Sequence, residues 1–194
     1  QEVELATANA RRLLRLVNSL LDFSQLDARR QLPNFEPVDL CALTVDIASA
    51  FRSAVEAAGL RLRVDCDPNL PPVWLDRDMW EKIVSNLLSN AFKFTFEGEI
   101  AVEVRALTLH AEVTVRDTGI GIPEHELPHL FKRFHRVHGA KARTVEGAGI
   151  GLAIVEDLVK RMGGQLTVRS GTGGSEFAFS LYATAPLANS RRTG

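Results

Sequence analysis

Three groups of residues in this chain are of the types and spacings that do chemistry. The first is the stretch Asn86-Leu87-Leu88-Ser89-Asn90-Ala91-Phe92-Lys93-Phe94-Thr95. At roughly 100° per residue, Asn86, Asn90 and Lys93 fall in one narrow arc of a helix, and Ile83, Leu87, Ala91 and Phe94 in another that faces a core. Asparagine is a mediocre helix former, and a merely solvated face would more often carry Glu, Arg or Gln. The second is the strand Ala111-Glu112-Val113-Thr114-Val115-Arg116-Asp117, which ends on an acid with the same parity as Val113 and Val115. A carboxylate on the core side needs a donor. Thr118-Gly119-Ile120-Gly121 follows and allows close backbone approach to something flat. An exocyclic amine such as that of adenine would satisfy both; an Asx turn over Thr118-Gly119 would account for the acid without a ligand. The third is Gly147-Ala148-Gly149-Ile150-Gly151-Leu152, which runs into a helix. Free N–H groups and the positive dipole end make a helix start of this kind a phosphate site.

Several nucleotide-binding signatures are absent. The glycine spacing is not GxGxxG, no GxxxxGK[ST] occurs, and the HRD and DFG elements of protein kinases are missing. The net charge of -1 gives no bulk attraction to nucleic acid or anionic membrane. Neither cysteine, Cys41 or Cys66, has CxxC spacing; buried free thiols are expected rather than a disulfide. No apolar run is long enough to span a bilayer and no signal peptide is visible.

The elements that must position these groups can be read in order. Residues 1–32 lack Gly and Pro until Leu32-Pro33-Asn34. Ala6, Ala10, Leu13, Val17, Leu20 and Ser24 step by four and three, with Leu14 and Leu21 a heptad apart. That spacing predicts a long helix with a bundle seam, covered by helices of a second chain or packed on its own domain. Phe35 to Val38 is a short extended piece. Asp39 then caps a helix that ends near Ala58 at Gly59. Leu60, Leu62 and Val64 alternate as a strand, Val73-Trp74-Leu75 is another, and Asp76 opens the helix with the Asn/Asn/Lys row. Ile100 to Ala106 and Ala111 to Arg116 form an antiparallel hairpin. Pro123 to Phe131 is expected to be a short helix, with Phe131 and Phe134 packing inward at its end. Gly139 to Gly149 is a loop, Ile150 to Met162 a helix, and Gln165 to Arg169 and Glu176 to Tyr182 are strands joined by a turn over Gly171-Thr172-Gly173-Gly174. The expected fold class is α+β: a two-layer α/β sandwich with a mixed, largely antiparallel sheet and helices on one face, preceded by a long dimerisation helix.

In order, the chain gives NLLSNAFKFT, DTGIG, FKRF, GAGIGLAIV and GTGGSEF. This series resembles the N, G1, F, G2 and G3 boxes of the histidine kinase branch of the ATPase superfamily that also contains gyrase, Hsp90 and MutL. The resemblance covers residues 38 to about 184. Residues 12–24 resemble the second helix of that family's dimerisation and phosphotransfer hairpin. The implied organisation is residues 1–32 as that hairpin helix, 33–37 as linker, 38–186 as the ATP-binding domain of Bergerat type, and 187–194 as a disordered tail.

The resemblance also implies roles. Asn86 and Asn90 would hold Mg²⁺ against the triphosphate, and Lys93 would touch phosphate oxygens. Asp117 would bind the adenine amine, with Gly119 and Gly121 letting the backbone close under the ring. Residues 135 to 147 would form a lid with Arg136 near the phosphates. Gly147, Gly149 and Gly151 would hinge it and, with Leu152, open the phosphate-binding helix; Ser175 would support the adenine pocket. In hydrolytic relatives a Glu four residues before the second Asn activates water. Here that position is Asn86, which favours transfer over hydrolysis. Glu81 lies on the opposite side of the helix from Asn90.

The family's phosphoacceptor sits in an H-E-x-x-x-P-like stretch. None of the five histidines (His110, His125, His129, His135, His138) has that context, so none is assigned a catalytic role and the acceptor is expected outside this chain. The expected partners are a second copy, through the N-terminal helix, and a response-regulator receiver domain; nucleic acid and direct membrane contact are not expected, and a cytoplasmic location is. The alternatives are an ATPase or serine kinase of the same superfamily, of the anti-sigma type, and a non-enzymatic nucleotide-binding module.

Overall fold

The structure, a computed structural model, describes residues 33–107, 110–137, 139–143 and 149–182. The expected N-terminal helix and tail lie outside the described residues. Strand β1 (Glu36–Val38) leads into helix α1 (Leu40–Ala57), then β2 (Arg61–Cys66), β3 (Val73–Leu75) and helix α2 (Arg77–Phe94). The hairpin β4 (Glu99–Ala106) and β5 (His110–Asp117) follows, then a 3₁₀ turn (Glu124–His129), helix α3 (Gly151–Arg161) and strands β6 (Gln165–Gly171) and β7 (Gly174–Tyr182).

The local signals act where they stand in the chain. The Asp39 carboxylate accepts from the Ala42 N–H at 2.9 Å and starts α1. Asp76 does the same for α2 through Met79 at 3.0 Å. Gly59, with φ +76°, supplies the left-handed residue that turns the chain out of α1.

The main sheet has the order β2-β4-β5-β7-β6, antiparallel except for the β2–β4 pair. That parallel pair needs a crossover, and α2 supplies it. β1 and β3 form a separate two-stranded ribbon. Alternation along β5 buries Ala111, Val113, Val115 and Asp117 on one face and exposes Glu112 and Arg116 on the other. All three helices cover the buried face, so the core lies between one helical layer and one sheet. Its largest member is Trp80 of α2, which meets Phe179 of β7 with ring centroids 5.4 Å apart. Cys41 and Cys66 are free and half-buried; burial pushes the Cys41 thiol up to about 12.

Three local expectations are corrected. The segment after Pro123 is a 3₁₀ turn, since Pro128 inside it removes a donor that an α-helix would need. β7 begins at Gly174, which pairs with Gly171, so the hairpin turn has shrunk to Thr172-Gly173. Phe131 packs on the core, but Phe134 does not: it is 62% exposed. Its N–H donates to the Gly149 carbonyl at 2.8 Å, and its φ of +62° turns the ring outward.

Candidate functional site

The last turns of α2, the end of β5, the loop after it and the start of α3 enclose one cavity of about 390 Å³. Asn86, Asn90, Lys93, Asp117, Gly121, Arg136, Gly149, Gly151, Leu152 and Ser175 all line it. Gly119 stands just behind the lining, and Gly147 lies outside the described residues.

On the α2 wall, helical periodicity delivers the polar row while Ile83, Leu87 and Ala91 fix the adjoining side in the core. The Asn86 amide nitrogen donates back to the Lys82 carbonyl at 2.7 Å. That contact leaves its Oδ1 turned to α3, where a Cβ on Gly151 would come within 2.6 Å of it. Glycine at position 151 therefore makes room for the carboxamide. The Lys93 ammonium rests 5.1 Å from the centre of the Phe94 ring. Carboxamide oxygens are hard donors of the type Mg²⁺ accepts, and the described residues include no cluster of three or more His, Cys, Asp or Glu that could hold an ion by themselves. The donor set thus fits a cation that keeps waters and takes further oxygens from a phosphate.

Asp117 forms the opposite wall. Only 8% of it is exposed, and desolvation raises its carboxyl above the ordinary range. The N–H groups of Gly119 and Ser175 and the nearby Thr95 hydroxyl pull in the other direction. The Gly119 N–H reaches Asp117 Oδ1 at 2.8 Å, which is the Asx-type contact expected of an acid before Thr-Gly. The ligand-free account of Asp117 is therefore correct as local geometry, yet the carboxylate still lines the cavity. The Thr95 hydroxyl is fully buried and has no hydrogen-bond partner of good geometry among the described residues, yet it lies near enough to Asp117 to favour the charged carboxylate.

The glycines are required by close approaches. Gly121 has φ +69°, and a Cβ there would overlap the Gly171 carbonyl. A Cβ on Gly119 would sit 2.5 Å from the Phe94 carbonyl and 2.8 Å from Asp117 Oδ1. These contacts bring the loop after β5, the β6–β7 turn and the end of α2 onto one another. At the third wall, α3 starts at Gly151 with no side-chain cap on its first turn and no acidic residue there. Its first N–H groups, beside Gly149 and Gly151, can take an anion.

Other residues in and around the cavity escaped the sequence reading. Ser170 accepts from the Ile122 N–H at 2.7 Å and lies 2.9 Å from the Ser175 hydroxyl, so a serine pair braces the loop against β7. His135 lines the cavity and meets Glu126 at 2.7 Å. Arg143 packs behind the α2 end, donating to the Thr95 and Phe96 carbonyls just past its last residue. The Ser170–Ile122 and Arg143–Thr95 contacts each join residues 48 apart in sequence and leave no local pattern to read.

Comparison with known proteins places this architecture. Residues 75–185 match the family described as histidine kinase-, DNA gyrase B- and HSP90-like ATPase. The chain is 34% identical over 189 residues to sensor histidine kinase TmoS of Ectopseudomonas mendocina, covering 96% of this chain and 19% of TmoS. It is 38% identical over 178 residues to the aerobic respiration control sensor protein ArcB of Escherichia coli K12, covering 87% of this chain and 22% of ArcB. It thus spans about a fifth of the length of these curated relatives. Among solved structures, full-length ShkA in complex with AMPPNP superposes with a TM-score of 0.78 at 31% identity, over 89% of this chain and 36% of ShkA. Histidine kinase ThkA in complex with response regulator protein TrrA shares the fold, with a TM-score of 0.74 at 21% identity over 94% of this chain and 51% of that one. With the matched segment covering α2, strands β4 to β7 and α3, the chain belongs to the histidine kinase-, DNA gyrase B- and Hsp90-like ATPase family, and its relatives there are sensor histidine kinases.

Proposed function

We propose that residues 38–186 form the ATP-binding catalytic domain of a sensor histidine kinase, which passes the γ-phosphoryl group to a histidine outside this chain and so to a response-regulator aspartate. One observation carries the reading: a single cavity joins the buried Asp117, the Asn86/Asn90/Lys93 row and the uncapped start of α3. Asp117 would accept the adenine N–H, and the Ser170–Ser175 pair would hold the loop that closes under the ring. Lys93, Arg136 and the first N–H groups of α3 would hold the phosphates. Asn86 and Asn90 are the residues that would hold Mg²⁺, which when bound neutralises phosphate charge.

Asn86 has no useful basicity, so no group on that wall activates water, and positioning for transfer is favoured over hydrolysis. Support for ATP as the nucleotide comes from the family and from the AMPPNP complex of ShkA. Support for a receiver-domain partner comes from the ThkA–TrrA complex. Residues 1–32 would be the second hairpin helix, pairing with another copy, and 33–37 the linker. The described residues contain no helix long and apolar enough to cross a membrane. The test is calorimetric titration of ATP with and without Mg²⁺. Binding that Mg²⁺ strengthens supports the reading, and absence of ATP binding sinks it.

A further inference from the structure

The short segment 139–143 meets the C-terminal end of α2 in a way the family-level reading of the site does not use. From Ala140 to Arg143 its side chains alternate: Ala140 and Ala142 line the cavity, while Lys141 and Arg143 turn to the aromatic rings behind α2. The Arg143 backbone N–H donates to the Lys93 carbonyl at 2.9 Å. Its guanidinium donates from Nε to the Thr95 carbonyl at 2.7 Å and from a terminal nitrogen to the Phe96 carbonyl at 3.1 Å. The same group lies 5.4 Å from the Phe92 ring centre and 5.3 Å from that of Phe96, and the Lys141 ammonium lies 4.8 Å from Phe96.

A helix end leaves its last carbonyls without partners, and a cation there also meets the negative end of the dipole. Arg143 supplies donors, charge and a flat face at once, a combination that lysine cannot reproduce. The turn it grips carries Lys93 on its cavity side. On its other side the Phe94 carbonyl accepts from the Ile120 N–H at 3.2 Å, in the loop next to Asp117.

We infer that Arg143 is a positioning residue for the nucleotide: it clamps the Ala140/Ala142 wall to the turn of α2 that presents Lys93, so that wall and lysine meet the phosphates together. The inference rests on the reading of the cavity as an ATP site. It assigns Arg143 no contact with the nucleotide.

The experiment measures ATP–Mg²⁺ affinity by calorimetry, with melting temperature alongside, in wild type, Arg143→Ala, Lys93→Ala and the double variant. Arg143→Ala is expected to weaken ATP about tenfold, the scale of a lost bond between a charged group and carbonyls. In the Lys93→Ala background the same change is expected to cost less than about threefold, because contacts that act as one unit are not additive. Should Arg143→Ala not fold, Arg143→Lys, which keeps the charge and loses the two-pronged donation, is expected to weaken ATP about threefold. Wild-type affinity in the folded variant, or an equal loss with and without Lys93, overturns the inference. A wild-type protein that binds no ATP overturns the reading of the cavity, and the inference with it.

Discussion

Asp117 and Ser175 are paired across β5 and β7, and the Ser175 backbone N–H favours the charged form of the buried Asp117 carboxylate. The pairing ties the acid that would read the base to the strand whose turn packs on Gly121. It explains how a carboxylate with 8% exposure is tolerated without an ion-pair partner among the described residues: fixed amide donors replace water.

Asp117→Asn keeps an oxygen for the Gly119 N–H and loses the charge. It is expected to weaken ATP by about 1–3 kcal/mol, because a charge-assisted bond to the adenine amine is replaced by a neutral one. Calorimetric titration reads this, and unchanged affinity removes Asp117 from the adenine site.

The same residue sets a pH dependence. Burial raises the Asp117 pKa above its unfolded value. The folded state therefore binds the proton more tightly than the unfolded one, and this group's contribution to stability falls as pH rises through the interval above the ordinary carboxylate value of 3.8. Urea unfolding of the nucleotide-free protein across that interval is expected to show a less steep fall in Asp117→Asn than in wild type, and identical profiles would contradict it.

Asn90→Ala removes one of the two carboxamides on the α2 wall. It is expected to reduce the gain in ATP affinity that Mg²⁺ confers by about tenfold, leaving affinity without Mg²⁺ within about twofold. An equal loss with and without the ion would mean that Asn90 touches the nucleotide rather than the ion.

Gly121→Ala meets two obstacles at once, a positive φ of +69° and the Gly171 carbonyl. It is expected to destabilise the domain by more than about 1 kcal/mol and to abolish ATP binding. A variant with wild-type melting temperature and wild-type affinity would show that the loop is not held where it is described.

Local chemistry made much of this legible. Asp39 and Asp76 signalled both helix starts, Gly59 signalled a stop, and period-two alternation marked the β4–β5 hairpin. The polar row of α2 could be read because helical spacing alone places it. The parallel pairing of β2 with β4 could not, since it joins segments separated by β3 and α2 and leaves no local pattern. The outward turn of Phe134 depends on a bond to Gly149, fifteen residues on in the chain, and the Ser170 brace on a bond to Ile122. Composition around Phe134 predicted packing because it contains no information about that distant carbonyl.

The measurement that bears most directly on the central claim is phosphoryl transfer itself. The protein is mixed with γ-labelled ATP, Mg²⁺ and a separate hairpin fragment carrying an acceptor histidine. Acid-labile, base-stable label on the fragment, with little free phosphate, is the predicted result. Release of phosphate with no label on the fragment would contradict it.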